Sequence, residues 1–239
     1  MLEALDQRVE DVATLNTKLI LLIGPPRSGK SRLLNALGER RQLGVVNVGA
    51  AQLDTVGATT YVGQDEGLAG KEAAAAMAAA GVKDALCVIH EEQNQALTDR
   101  CAGFSDQLES SGGKVTTVHV DSTRLHPAQQ SVEAALAKDS AVDGILATGI
   151  QSFAASGGAL QARGLFGTVK LGAFDISIAN LQAVESGQAL FVVDQQPFLQ
   201  GYLAVQTASF AAHYGQHPYA PVYTGPSLVT KTNIAQVLQ

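Results

Sequence analysis

The chain has 239 residues, of which 46% are hydrophobic and 16% charged, and its formal net charge is −6. This balance predicts a globular fold, in one large domain or two small ones, and argues against a disordered chain. Because an acidic chain lacks the basic footprint of a nucleic-acid-binding protein, nucleic acid is excluded as a partner. No segment reaches the ~18 apolar residues of a membrane span, and the charged first residues do not resemble a secretory signal. The sequence therefore predicts a cytoplasmic protein without a membrane span.

Strand and helix patterns alternate along the chain. A short amphipathic helix at 2–14 precedes a strand at 19–23, and short strands follow at 45–48 and 59–62. A 3.6-residue periodicity then predicts helices at 67–80, 95–110, 127–138, 152–163, 176–186 and 197–213. Apolar runs predict strands at 85–89, 114–120, 144–147, 168–173 and 190–193. The alternation predicts an α/β fold built from doubly wound parallel sheets.

The first strand leads into a glycine-rich loop with Walker A spacing. Its residues are Gly24, Pro25, Pro26, Arg27, Ser28, Gly29, Lys30 and Ser31, and a helical pattern follows. This stretch resembles a P-loop nucleotide-binding protein, in which backbone N–H groups and a helix N-terminus converge on phosphate oxygens. Lys30 would reach the β- and γ-phosphates, and the Ser31 hydroxyl would hold Mg²⁺. The expected ligand is phosphate or a nucleotide, ATP or GTP with Mg²⁺.

A second and longer resemblance begins at about residue 43. It is carried, in order, by VGQDEGLAGK (62–71), LCVIHE (86–91), RCAGF (100–104), VDGILAT (142–148), LGAFD (171–175), VDQQPFLQG (193–201) and TGPSLVTK (224–231). These segments resemble the type 1 sugar-binding proteins of bacterial ABC importers, which are periplasmic. The resemblance implies two lobes that are joined by three crossing strands, with a sugar held between them.

The same resemblance implies a division of the chain. Residues 66–193 are expected to form a complete second lobe, and 1–64, completed by 195–225, a remnant of the first. Residues 226–239 would supply the final crossing and a C-terminal segment. Only the P-loop unit precedes the strand at 45–48, where the resemblance implies three or four βα units. The sequence is therefore interpreted as a chimera with a truncated first lobe, whose exposed surface favours a homodimer.

The resemblance also implies which side chains contact a sugar. The expected contacts are Asn94, Arg100, Asp175 and Gln195. Planar groups of this kind form paired hydrogen bonds with adjacent sugar hydroxyls. An alternative assigns them structural roles: Arg100 pairs with a nearby acid such as Asp99 or Glu91, and Asp175 caps the helix at 176–186.

Other reactive side chains leave alternatives open. Cys87 and Cys101 are two buried thiols or, in an oxidising compartment, a strand-to-helix disulfide. Asp194 follows four apolar residues, so it is either a magnesium-binding acid of a P-loop protein or part of a crossing strand. The five histidines lack metal-site spacing, and His90 either lines the cleft or is an ordinary surface or capping residue.

Together these patterns predict a non-enzymatic binding scaffold. It would bind phosphate or a nucleotide at 24–31 and bind a sugar weakly in the second lobe. One alternative is an enzyme, a small P-loop NTPase with a sugar-binding-like sensor lobe. Another is a structural chimera that binds no ligand.

Overall fold

The computed structural model describes residues 19–22, 42–45, 60–121, 123–216 and 218–237. The predicted phosphate loop at 24–31 lies outside these residues. The chain divides into two compact units, of which the first comprises 1–64 and 196–224 and the second 65–195 and 225–239. The chain therefore passes between the units three times.

The described strands and helices keep the predicted alternation. The strands are β1 (Leu19–Leu22), β2 (Gln42–Val45), β3 (Val62–Gly63), β4 (Asp84–Ile89), β5 (Lys114–His119), β6 (Gly144–Ala147), β7 (Lys170–Phe174), β8 (Phe191–Asp194), β9 (Val222–Tyr223) and β10 (Ser227–Val229). The helices are α1 (Glu66–Ala79), α2 (Gln95–Ser110), α3 (Leu125–Lys138), α4 (Ile150–Arg163), α5 (Ile178–Ser186), α6 (Pro197–Tyr214) and α7 (Ile234–Val237).

Several element boundaries differ from the prediction by a few residues, among them those of β2 and α3. Of the strand predicted at 45–48, Val45 lies in β2, which begins at Gln42 and pairs in parallel with β1, and 46–48 lie outside the described residues. Helix α3 begins two residues before Pro127, where its start was predicted. Proline is tolerated in the first helical turn, because the N–H groups there have no intrahelical partner.

In the described part of the first unit, β1 pairs in parallel with β2, and β3 pairs in parallel with β9. Val62 of β3 and Ala204 of α6 are fully buried and belong to one small apolar cluster. The Tyr61 hydroxyl donates a hydrogen bond to the carbonyl oxygen of Gln64, at 2.8 Å. This bond fixes the backbone where the chain leaves β3.

The second unit is built on a six-stranded sheet with the order β10-β8-β7-β6-β4-β5. Five of these strands are parallel, and β10 joins the edge of the sheet antiparallel to β8. The alternation predicted from the sequence is confirmed, since each parallel strand is followed by a helix. The fold is the predicted α/β fold with parallel sheets and alternating helices.

Both faces of this sheet are buried. Along β4, Ala85, Cys87 and Ile89 belong to the apolar cluster that contains α1 and α2. The intervening Leu86 and Val88 belong to the cluster that contains α3 and α4. Because successive strand residues point to opposite faces, a doubly covered strand needs apolar residues throughout.

A disulfide joins Cys87 of β4 to Cys101 of α2, so the disulfide alternative for these cysteines holds. Both residues are buried, and their Cα atoms lie 5.8 Å apart. Cross-linking a loop of about 15 residues restricts the unfolded chain by about 3 kcal/mol. The bond also fixes the second turn of α2 to the sheet.

Helices α1 and α2 approach each other at backbone distance, through glycines. A Cβ atom at Gly70 would collide with the carbonyl oxygen of Arg100, and one at Gly103 would collide with that of Gly67. This close approach brings Glu66, at the start of α1, next to the second turn of α2.

We expect Gly103→Ala to lower the free energy of unfolding by about 1–3 kcal/mol, because its methyl group has no room against α1. The matched control is Gly157→Ala in α4, where a Cβ atom would meet no atom within 4 Å. That substitution should raise the free energy of unfolding by about 1 kcal/mol through helix propensity. Urea unfolding followed by circular dichroism measures both. Equal effects of the two substitutions would contradict the close packing of α1 and α2.

Candidate functional site

Polar side chains gather where the parallel strands of the second unit end. His90 follows β4, Thr148 follows β6 and Asp175 follows β7. Because these strands are parallel and adjacent, their carboxyl ends lie along one edge of the sheet. Ligands of open α/β sheets bind outside this edge.

Arg100 is the central group of this edge and is held by Glu66. Its Nε donates to Oε2 of Glu66 at 2.7 Å, and its Nη2 donates to Oε1 at 3.0 Å. Each side chain is only 3% exposed. The two parallel bonds form the fork geometry that is strongest for a guanidinium and a carboxylate.

Three further elements fix the guanidinium. Its Nη1 donates to the carbonyl oxygen of Thr148 at 2.7 Å. The Phe174 ring lies beneath it, with the guanidinium carbon 4.4 Å from the ring centroid, within cation–π range. The next residue, Cys101, is bonded to the sheet. Arg100 is therefore a rigid group and not a mobile surface arginine.

Asp175 lies beside this guanidinium, with its Oδ1 3.9 Å from Nη1 of Arg100. Its backbone is in the left-handed region, with φ 74°. The Asn180 amide donates to the Asp175 carbonyl oxygen at 2.8 Å, and the Asp175 N–H donates to Val193 at 3.1 Å. The Gln195 amide donates to Oδ1 of Asp175. Such backbone strain concentrates at ligand-binding sites.

A buried polar cluster of His90, Thr148 and Ser152 lies at the same edge of the sheet. The Nδ1 atom of His90, a buried residue, lies 3.4 Å from the hydroxyl oxygens of Thr148 and Ser152. A Cβ atom at Gly149 would lie 2.5 Å from Cε1 of His90 and 3.1 Å from Oδ2 of Asp175. Glycine at 149 therefore allows the imidazole and the carboxylate to approach the same space.

The structure brings together three of the four predicted sugar contacts: Arg100, Asp175 and Gln195. Asn94 is the N-cap of α2, and its contact with a sugar stays a prediction. Its Oδ1 accepts from the Ala96 N–H at 3.1 Å and caps α2, while its amide donates to Glu91 at 3.1 Å. His90, for which the sequence left two interpretations, is buried at the edge of the site.

The alternative that pairs Arg100 with an acid holds, but the acid is neither Asp99 nor Glu91, and the residue that caps α5 is not Asp175. The partner of Arg100 is Glu66, whereas Asp99 accepts from Gln95. Helix α5 is capped by Ser177, whose hydroxyl oxygen accepts from the Asn180 N–H at 3.1 Å. Glu66 is not among the predicted site residues, and its signal in the sequence is an acid in the first turn of the helix that precedes the Arg100 segment.

This fold and this polar edge define an α/β ligand-binding protein. Residues 33–216 match the family model described as periplasmic binding protein domain. Since the match covers more than half of the chain, the chain belongs to this family. The match begins after the predicted phosphate loop at 24–31. No curated protein matches the chain significantly.

Similar solved structures include proteins that are described as a carbohydrate transporter or as solute-binding proteins of ABC transporters. A carbohydrate transporter from Acidothermus cellulolyticus, in complex with myo-inositol, is 26% identical with a TM-score of 0.78. The alignment covers 97% of this chain and 80% of that one. A periplasmic solute-binding protein from Actinobacillus succinogenes with bound D-allose is 17% identical, with a TM-score of 0.78 and coverage of 96% and 82%. A solute-binding protein from Agrobacterium vitis, bound with α-D-tagatopyranose, is 24% identical, with a TM-score of 0.77 and coverage of 95% and 79%.

These findings support the sugar-binding part of the sequence interpretation. They give no support to a separate P-loop segment, to a chimera or to the expected cytoplasmic location. Among the described residues, no helix has both the length and the apolar character needed to cross a membrane.

We expect Glu66→Ala to lower the free energy of unfolding by about 3–5 kcal/mol, because it leaves a buried guanidinium without its carboxylate. The control is Glu72→Ala on the exposed face of the same helix, which should change stability by no more than about 0.5 kcal/mol. The double variant Glu66→Ala/Arg100→Met should recover part of the loss. Chemical unfolding of the three variants measures these effects, and equal losses for the two single variants would refute a stabilising fork.

Proposed function

We propose that the chain is a non-enzymatic binding protein for a monosaccharide or cyclic polyol. The observation that carries this proposal is the convergence of Arg100, Asp175 and Gln195 on one edge of the sheet. The family supports it, and so do the ligands of the similar structures, which are myo-inositol, D-allose and α-D-tagatopyranose.

The chemistry of this edge suits adjacent hydroxyl groups. A sugar hydroxyl is both a donor and an acceptor, so it needs an acceptor such as the Asp175 carboxylate and a donor such as the Arg100 guanidinium. These two groups lie 3.9 Å apart, so neighbouring hydroxyls can engage both. Because Arg100 is already held by Glu66, Thr148 and Phe174, little conformational entropy is lost when a ligand binds.

We also propose that the protein acts in an oxidising compartment. The family name is that of periplasmic proteins, and a disulfide joins Cys87 to Cys101. Disulfides persist in the periplasm and are rare in the reducing cytoplasm. This proposal replaces the cytoplasmic location expected from the first residues of the chain.

A second candidate function rests on the amino-acid sequence at 24–31. The Walker A spacing favours binding of phosphate or of ATP or GTP, with Lys30 on the phosphates and Ser31 on Mg²⁺. This site would make the chain a chimera of a P-loop segment and a sugar-type binding protein. Hydrolysis of a nucleotide is the enzymatic alternative. Homodimer formation likewise stays a prediction.

Asp175→Asn should weaken sugar binding by at least about tenfold, because an amide replaces the charged acceptor. Asp106→Asn, an exposed residue on α2, is the matched control and should bind like the wild type. Isothermal titration with myo-inositol, D-allose, D-tagatose and D-arabinose measures the affinities. Failure of the wild type to bind any of the four, or equal affinity of Asp175→Asn, would refute the proposed site.

Lys30→Ala should abolish binding of ATP–Mg²⁺, because the loop loses its cation for the β- and γ-phosphates. Lys71→Ala, an exposed lysine on α1, is the control and should leave the binding unchanged. Calorimetric titration detects binding, and a phosphate-release assay separates binding from hydrolysis. Equal nucleotide affinity in the wild type and Lys30→Ala would remove the phosphate-loop proposal.

A further inference from the structure

The charge of Arg100 is neutralised before any ligand arrives. Both oxygens of the Glu66 carboxylate accept from the guanidinium, and burial shields this pair from water and salt. The Asp175 carboxylate lies 3.9 Å from the same guanidinium. Among the residues that the structure describes, two carboxylates therefore face the Arg100 guanidinium.

The two edges of the sheet also differ in charge. The carboxyl edge carries further acids in the segments that follow the strands or begin α1: Asp65, Glu91, Asp121 and Asp194. Hydrogen bonds from the Thr123 hydroxyl and N–H, and from Arg124, lower the pKa of Asp121 to about 2, so it stays ionised. At the opposite, amino edge, Lys83, Lys114 and Lys170 lie among Asp84, Asp139 and Asp143, and Lys114 pairs with Asp84 at 3.3 Å and with Asp139 at 2.8 Å, so acids and lysines nearly balance there.

This arrangement disfavours an anionic ligand. A ligand carboxylate or phosphate that approaches Arg100 meets a guanidinium whose charge is already matched, and it is repelled by Asp175. A hydroxyl group carries no net charge, so it can bond to the same donors and acceptors without that repulsion. Rejection of a wrong ligand by like charge is a common source of specificity.

We propose that Glu66 sets the charge selectivity of this site, so that it accepts neutral monosaccharides and polyols and rejects their uronic acids and phosphates. Glu66 acts through Arg100 and is a positioning residue. This inference rests on the proposed function, because it concerns the ligand class of the same edge. Glu66 is better suited to this role than Asp175, whose side chain is 27% exposed.

The test compares two matched pairs of ligands, D-galactose with D-galacturonate and myo-inositol with myo-inositol 1-phosphate. The wild type should prefer the neutral member of each pair. Glu66→Gln removes the carboxylate charge and should shrink the preference at least tenfold. Glu66→Asp keeps the charge on a shorter side chain and should keep the preference even where overall affinity falls. Glu72→Gln is the surface control, and calorimetric titration gives the affinities.

The inference would be overturned if Glu66→Gln kept the wild-type preference for the neutral ligand. It would also be overturned if Glu66→Asp lost as much of that preference as Glu66→Gln. A purely structural role for Glu66 predicts the second result. If Glu66→Gln does not fold, the affinities of the wild type for D-galactose and D-galacturonate are the test. Equal affinities for these two ligands would refute the charge selectivity.

The same titrations distinguish a wrong charge-selectivity inference from a wrong proposal of sugar binding. A wild type that binds neither D-galactose nor myo-inositol would count against sugar binding. The anion titrations still decide the role of Glu66 in that case, because they do not require a neutral ligand to bind. Binding of D-galacturonate or myo-inositol 1-phosphate gained by Glu66→Gln supports the role, and no gain refutes it.

Discussion

The buried ion pair between Glu66 and Arg100 is the constraint on which the carboxyl edge of the second unit depends. Removing two opposite charges from water is costly unless their hydrogen bonds are nearly complete. Here that requirement is met by the two-bond fork and by the carbonyl oxygen of Thr148. The fork in turn needs α1 and α2 at backbone contact, which explains the glycines at 70 and 103. The disulfide at Cys101 then prevents α2 from moving along the sheet.

The alternating pattern and the family resemblance were enough to predict the α/β sheet and to name Arg100, Asp175 and Gln195 as neighbours. They were not enough to predict Glu66. Its pairing spans 34 residues and depends on the distance between two helices, which periodicity within one helix does not encode. Proximity along the chain suggested Asp99 or Glu91 instead. The glycines of VGQDEGLAGK and RCAGF were the signal of close packing, because only small residues allow two helix backbones to touch.

The role of Asp175 depends on where α5 begins, because the residue that caps this helix lies two positions further along the chain. As the N-cap of α5 it would have used its carboxylate on backbone N–H groups. Ser177 caps that helix instead, so the Asp175 carboxylate turns towards Arg100 and Gln195. This turn requires a left-handed backbone, which costs about 1–3 kcal/mol for a residue with a side chain. The bond from Asn180 to the Asp175 carbonyl oxygen offsets part of that cost.

The glycine-rich loop at 24–31 has to be judged by its context as well as by its spacing. A phosphate loop needs little beyond its own backbone, Lys30 and Ser31 to attract an anion, so binding can be argued from the motif alone. Hydrolysis needs more, including an acid that holds Mg²⁺ from a neighbouring strand. Asp194 was the candidate for that acid. It ends β8 in the sheet of the second unit, in register with Ser227 of β10, whereas β1 pairs with β2 in the first unit. Asp194 therefore belongs to the sheet of the second unit, and both phosphate binding at 24–31 and nucleotide hydrolysis stay predictions from the sequence.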